Sequence, residues 1–185
     1  MTYSLTSDFF WSLSTDGIKF GKDQANYFTW STDGAGVWSY GETGLYTIFD
    51  ISSPDIYISL LWFDSVMEQL FSRVGIDYTI EGGSAQFTCN STNFPDLYFS
   101  IEENYLEIPA DDYVVDISAA QDGSLCSLKI KSINAPFNIM GLPAFEGYYV
   151  THKMSSDGDS MSFVPHKDSD RAELKANYVD GPSER

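Results

Sequence analysis

The residue most capable of chemistry is Asp50, in the stretch "YTIFDISSP" at residues 46–54. An apolar run carries a lone carboxylate straight into a tight polar turn, which is a common way to present a catalytic aspartate. Such a turn ordinarily continues with a hydroxyl residue and a glycine, whereas here Ile51 and Ser52 follow, then Ser53 and Pro54. Other candidate chemistry is thin. His152 and His166 are the only histidines, and neither is flanked by cysteines or acids at ligand spacing, so no metal site is expected. Asp157-Gly158-Asp159 and Asp111-Asp112 read as solvated turns rather than calcium loops. No glycine-rich phosphate loop leads from a strand into a helix, and no cofactor is implied.

The elements that position Asp50 are mostly strands. "FFWSLSTDGIKFG" at 9–21 reads as two strands broken by a hairpin at Asp16-Gly17, and further turns are expected at Asp33-Gly34, Gly41 to Gly44, Gly82-Gly83, Glu102-Glu103-Asn104 and Ser156 to Asp159. One segment breaks the two-residue alternation. In "SLLWFDSVMEQLFSRVG" at 59–75, Phe63, Val66, Met67, Leu70, Phe71 and Val74 recur at helical spacing, with Ser59 as N-cap and Gly75 as the stop, giving a helix at about 59–74. Beyond residue 168 the sequence turns polar and nearly core-free, so 169–185 is expected to be a solvated tail. The fold class is mainly β with one clear helix, in one domain.

Composition narrows the partners. The chain has 185 residues with 27 acids against 10 bases, a formal net charge of −17, so a phosphate backbone or an anionic membrane surface would be repelled. No apolar run reaches the length of a membrane span, and no signal peptide is visible at the N-terminus. Cys89 and Cys126 read either as two free thiols or as one disulfide. Asn90-Ser91-Thr92 is an N-glycosylation sequon beside Cys89; together with a disulfide it points toward a secretory, lysosomal, vacuolar or extracellular setting.

Several separated stretches, in order, resemble the C-terminal lobe of a pepsin-like aspartic protease over residues 1–168. "FFWSLSTDGIKFG" is similar to the strand pair that opens this lobe, and "YTIFDISSP" stands where the family has apolar-apolar-Asp-Thr/Ser-Gly-Thr/Ser-Ser. The helix follows as it does in the family. "FPDLYFSI", "FNIMGLPAFEGYYVTHK" and "MSFVPHK" resemble its later strands, and Cys89 and Cys126 match the disulfide of this lobe.

The resemblance implies twisted antiparallel sheets and Asp50 as one member of a catalytic dyad. It also implies a peptide substrate lying between two lobes, so that a complementary N-terminal-type lobe, or another protein covering the lobe interface, is the expected partner. Hydrolysis of this kind needs two carboxylates about 3 Å apart sharing one proton around a water. Against that pattern the active-site turn departs at Ile51 and Ser52, while Ser53 keeps a hydroxyl. In the loop beneath the site Gly141 is kept, but Leu142 replaces an aspartate. The expectation is therefore a lobe of this family that is catalytically impaired alone, a pseudoprotease or interaction module. The alternative is the C-terminal half of an active endopeptidase whose second aspartate comes from a partner lobe or a second copy.

Overall fold

The computed structural model describes residues 2–4, 11–22, 26–30, 45–89, 93–101, 104–118 and 124–167. Along the chain these form β1 (Thr2–Ser4), β2 (Ser12–Thr15), β3 (Gly17–Phe20), β4 (Tyr27–Thr29), β5 (Leu45–Phe49) and β6 (Ile56–Ser59), then α1 (Leu60–Val74). The hairpin of β7 (Thr79–Glu81) and β8 (Ser84–Phe87) follows, then β9 (Leu97–Ile101) and β10 (Asn104–Ile108), and the single-turn α2 (Ala110–Tyr113) with β11 (Val114–Asp116). The chain closes with β12 (Cys126–Ile133), β13 (Asn138–Met140), a 3-10 turn at Leu142–Ala144, and the hairpin of β14 (Tyr148–Lys153) and β15 (Ser160–Pro165).

The strands make three sheets. The largest runs β2-β5-β13-β6-β12-β8-β7, with β11 also on β12; a four-stranded sheet runs β10-β9-β3-β4, and a three-stranded one β1-β15-β14. The large sheet is mixed, because β13 lies parallel to β5 and β12 parallel to β6. Mainly β with one main helix is the architecture expected of a pepsin-like lobe.

The helix forms where its periodicity puts it. The Ser59 hydroxyl accepts from the Leu61 amide, and Gly75 ends the helix in the left-handed region at φ 74°, its amide on the Phe71 carbonyl. Trp62, Phe63, Val66, Met67, Leu70 and Phe71 are buried on one face. Phe71 stacks on Tyr78 at 4.1 Å and meets Phe87 and Phe94 edge-on. Truncating a ring so placed costs about 3–5 kcal/mol. Gly82 and Gly83, both at positive φ, turn β7 into β8, and Gly158 at φ 116° sits in the turn from β14 to β15, as the sequence implies. β9 and β10 also pair as a hairpin, with Ile101 opposite Asn104.

One expectation fails. Asp16-Gly17 is not a hairpin turn, because β2 lies in the large sheet and β3 in the four-stranded one. The Asp16 amide donates to the Ser100 carbonyl at 3.1 Å, and its carbonyl accepts from the Trp30 amide at 3.0 Å. Its backbone is thus held from both sides and continues straight on. Gly17 is there for space: a Cβ would lie 2.1 Å from the Phe28 carbonyl oxygen. The turns expected at Asp33-Gly34 and Gly41 to Gly44, the tip residues Glu102 and Glu103, the Asn90 sequon and the tail 169–185 lie outside the described residues.

Cys89 and Cys126 form a disulfide with Cα atoms 5.1 Å apart. It ties the loop after β8 to the first residue of β12, strands already paired antiparallel with Cys126 opposite Phe87.

Candidate active site

Asp50 sits at the C-terminal end of β5, directly after the buried Phe49. Its amide donates to the Met140 carbonyl at 3.0 Å, continuing the parallel pairing of β5 with β13, in which Met140 lies opposite Phe49. The Ser53 amide closes the turn onto the Asp50 carbonyl at 3.0 Å. Parallel strands end side by side, so the segment leaving β13 passes directly under this turn. There the Leu142 amide donates to the Ser53 carbonyl at 2.7 Å.

Gly141 makes that crossing possible. A Cβ at this position would lie 2.1 Å from the Asp55 carbonyl oxygen and 2.5 Å from that of Ser53. Both obstacles are backbone, which cannot swing aside as a flexible side chain could. The two loops therefore touch main chain to main chain.

The carboxylate itself is held by three donors. Oδ1 accepts from the Ser52 amide at 3.0 Å and from the Ser52 hydroxyl at 2.7 Å, and Oδ2 accepts from the Ser53 hydroxyl at 2.8 Å. These bonds, the Ser52 hydroxyl foremost, then the Ser53 hydroxyl and the Ser52 amide, hold the Asp50 carboxyl below the ordinary aspartate value, against a smaller opposing effect of burial. The side chain of Ser52 thus finds room at the position expected for glycine, and its amide still reaches the carboxylate.

Two apolar side chains on these loops face solvent. Ile51 is 65% exposed and Leu142 38% exposed. Ile51 carries no hydroxyl to send across an interface, and Leu142 no carboxylate. The sequence reading thus brings Asp50, Ile51, Ser52, Ser53, Gly141 and Leu142 into one place.

It misses a neighbour. Lys131 Nζ lies 2.7 Å from Asp55 Oδ2, with Asp55 buried at 8% exposure. Asp55 is the residue whose carbonyl faces Gly141, so this ion pair pins the far end of the Asp50 turn to β12. The pair raises the Lys131 ammonium above its ordinary value, chiefly through its hydrogen bond to Asp55. The only sequence signal was a lysine in the alternating strand "SLKIKSI", which names no partner. The histidines stand apart from this site: His152 packs on Trp11 at 4.4 Å between ring centroids, and His166 on Tyr149 at 4.8 Å.

The eukaryotic aspartyl protease family model matches residues 1–163. No curated protein matches the chain. Among the described residues no helix is long and apolar enough to cross a membrane. With a strand-end aspartate in a serine turn, a glycine packed main chain to main chain beneath it, and a family match over nearly all of its β structure, this chain belongs to the eukaryotic aspartyl protease family.

Proposed function

We propose that this chain is a C-terminal-type aspartic protease lobe that does not by itself hydrolyse peptides and that serves as an interaction module toward a complementary lobe or another protein. The observation that carries this reading is the Ser52 hydroxyl on Asp50 Oδ1 at 2.7 Å. A carboxylate offers about four acceptor positions. Here three are occupied by donors from its own turn. A general base must take a proton from the attacking water, and donors that stabilise its anion weaken it in that task. Among the described residues no second carboxylate acts on Asp50, while Ile51 offers no hydroxyl to fix two loops across an interface. The family is typically secretory or lysosomal, and the Cys89–Cys126 disulfide is in keeping with an oxidising route.

The test is peptidase turnover by the full chain on a quenched fluorogenic peptide and on a denatured protein, from about pH 2 to about pH 6, spanning the range in which a carboxylate dyad holds one shared proton. No cleavage above that of an Asp50→Asn variant is expected. Turnover that disappears in Asp50→Asn would overturn the reading.

A second reading is favoured by the backing loop. Gly141 and the Asp50 amide bond to Met140 keep the support beneath the carboxylate intact. On that reading, Asp50 becomes one half of a working dyad when a complementary lobe supplies the other aspartate. Cleavage appearing only on addition of such a lobe, with binding of a statine-type inhibitor at acid pH, would select it.

A further inference from the structure

We propose that the Asp50 turn docks a lysine side chain of a partner polypeptide, the ammonium meeting Oδ2 while the methylene stem lies along Ile51 and Leu142. The inference rests on the reading of Asp50 as a fixed, non-catalytic anion. Four observations carry it.

No cation among the described residues pairs with Asp50, although its neighbour Asp55 is paired by Lys131 at 2.7 Å. The anion is preorganised, since Ser52 and Ser53 hold both of its oxygens before any partner arrives. The acceptor count selects the kind of cation. Oδ1 already takes two donors and Oδ2 one, which leaves about one position free. A guanidinium fork binds a carboxylate best through two parallel bonds, whereas an ammonium is a point charge that needs only one.

The flanks select the stem. Ile51 at 65% and Leu142 at 38% exposure put two apolar side chains in solvent, one in the Asp50 turn and one on the loop tied to it by the Leu142 amide on the Ser53 carbonyl. A lysine lays its four methylenes on such surface and keeps its charge at the end. The net charge of −17 raises the local concentration of a basic segment and speeds its approach. A facing carboxylate is the competing occupant; it would have to bring its own proton against the three donors that stabilise the anion.

The experiment titrates the 15N-labelled full chain at neutral pH with the peptide acetyl-Ala-Leu-Lys-Leu-Ala-amide and with the same peptide carrying Nε-acetyl-lysine. Saturable shifts are expected at the Ser52, Ser53 and Leu142 amides, with the acetylated peptide weaker by about tenfold, the loss of one charge-assisted contact. Asp50→Asn should lower affinity by a similar factor, Ile51→Ser should weaken it less, and an arginine peptide should bind no tighter than the lysine one. Equal binding of the acetylated peptide to the unaltered chain, or no shift at these amides up to about 10 mM peptide, below any affinity worth attributing to a site, would overturn the proposal. The peptide comparison on the unaltered chain decides the matter even if a variant folds poorly. Absence of lysine binding without any Asp50-dependent cleavage removes only this inference; Asp50-dependent cleavage removes the reading beneath it.

Discussion

Ser52 donates twice to the same oxygen of Asp50, through its amide at 3.0 Å and its hydroxyl at 2.7 Å. Ser52 is thus the residue that binds the Asp50 carboxylate most closely. A glycine could supply the amide but never the hydroxyl.

The Asp50 carboxyl should titrate below the ordinary value of 3.8 and move up in Ser52→Ala, and further in Ser52→Ala/Ser53→Ala. Carboxyl 13C chemical shifts followed against pH measure this directly. The sign for stability follows from the depressed value. Asp50 contributes stability above the unfolded-state value, and that contribution is lost as pH falls through the folded-state one. The unaltered chain and the double variant should therefore converge in stability in strong acid and diverge above it.

Gly141→Ala should destabilise the fold by about 2–3 kcal/mol, because the new Cβ meets two backbone carbonyls rather than a side chain able to yield. Thermal or denaturant unfolding followed by circular dichroism gives the number. The variant should also shift the Ser52 and Ser53 amide resonances, since the turn above must lift.

Lys131→Met leaves Asp55 buried without its cation. A loss of about 1–3 kcal/mol is expected, between the values for an exposed and a fully buried pair because Lys131 is 37% exposed. The raised ammonium makes this contribution complete below the unfolded-state value near 10.5 and lost as pH climbs through the folded-state one. Urea unfolding at neutral pH should separate the two proteins, and the gap should shrink in strongly alkaline buffer.

Reducing the Cys89–Cys126 disulfide, which spans 37 residues of sequence, should cost about 4 kcal/mol on the loop-entropy estimate. The midpoint of unfolding with and without a reductant, on protein shown by mass to carry the bond, checks it. Cys89→Ser/Cys126→Ser should behave as the reduced protein does.

Where a pattern depends on near neighbours it was legible in the sequence. The helix at Leu60–Val74 follows from apolar residues at helical spacing between a serine and a glycine. The turns at Gly82-Gly83 and around Gly158 follow from residues that tolerate positive φ. The cluster of Asp50 with Gly141 and Leu142 was legible only through the family resemblance, since nothing local to residues 50 and 141 brings them together. Asp16-Gly17 shows the limit from the other side: the dipeptide is a good turn signal, but whether a strand folds back or passes into another sheet depends on what Ser100 and Trp30 offer its backbone.

By itself, then, the sequence determined the strand-rich class, the single long helix, the strong negative charge and the place of Asp50 in a serine turn at a strand end. Only the tertiary structure decided that the Gly141 loop passes beneath the Asp50 turn, that Asp55 finds Lys131, and that β2 and β3 part into separate sheets. Periodicity and turn chemistry are set by residues a few positions apart, whose energies the chain carries wherever it folds. Which lysine reaches a buried acid, and which loop passes beneath the Asp50 turn, is set by how β5, β6, β12 and β13 are laid side by side, and that order is fixed by packing across the whole sheet.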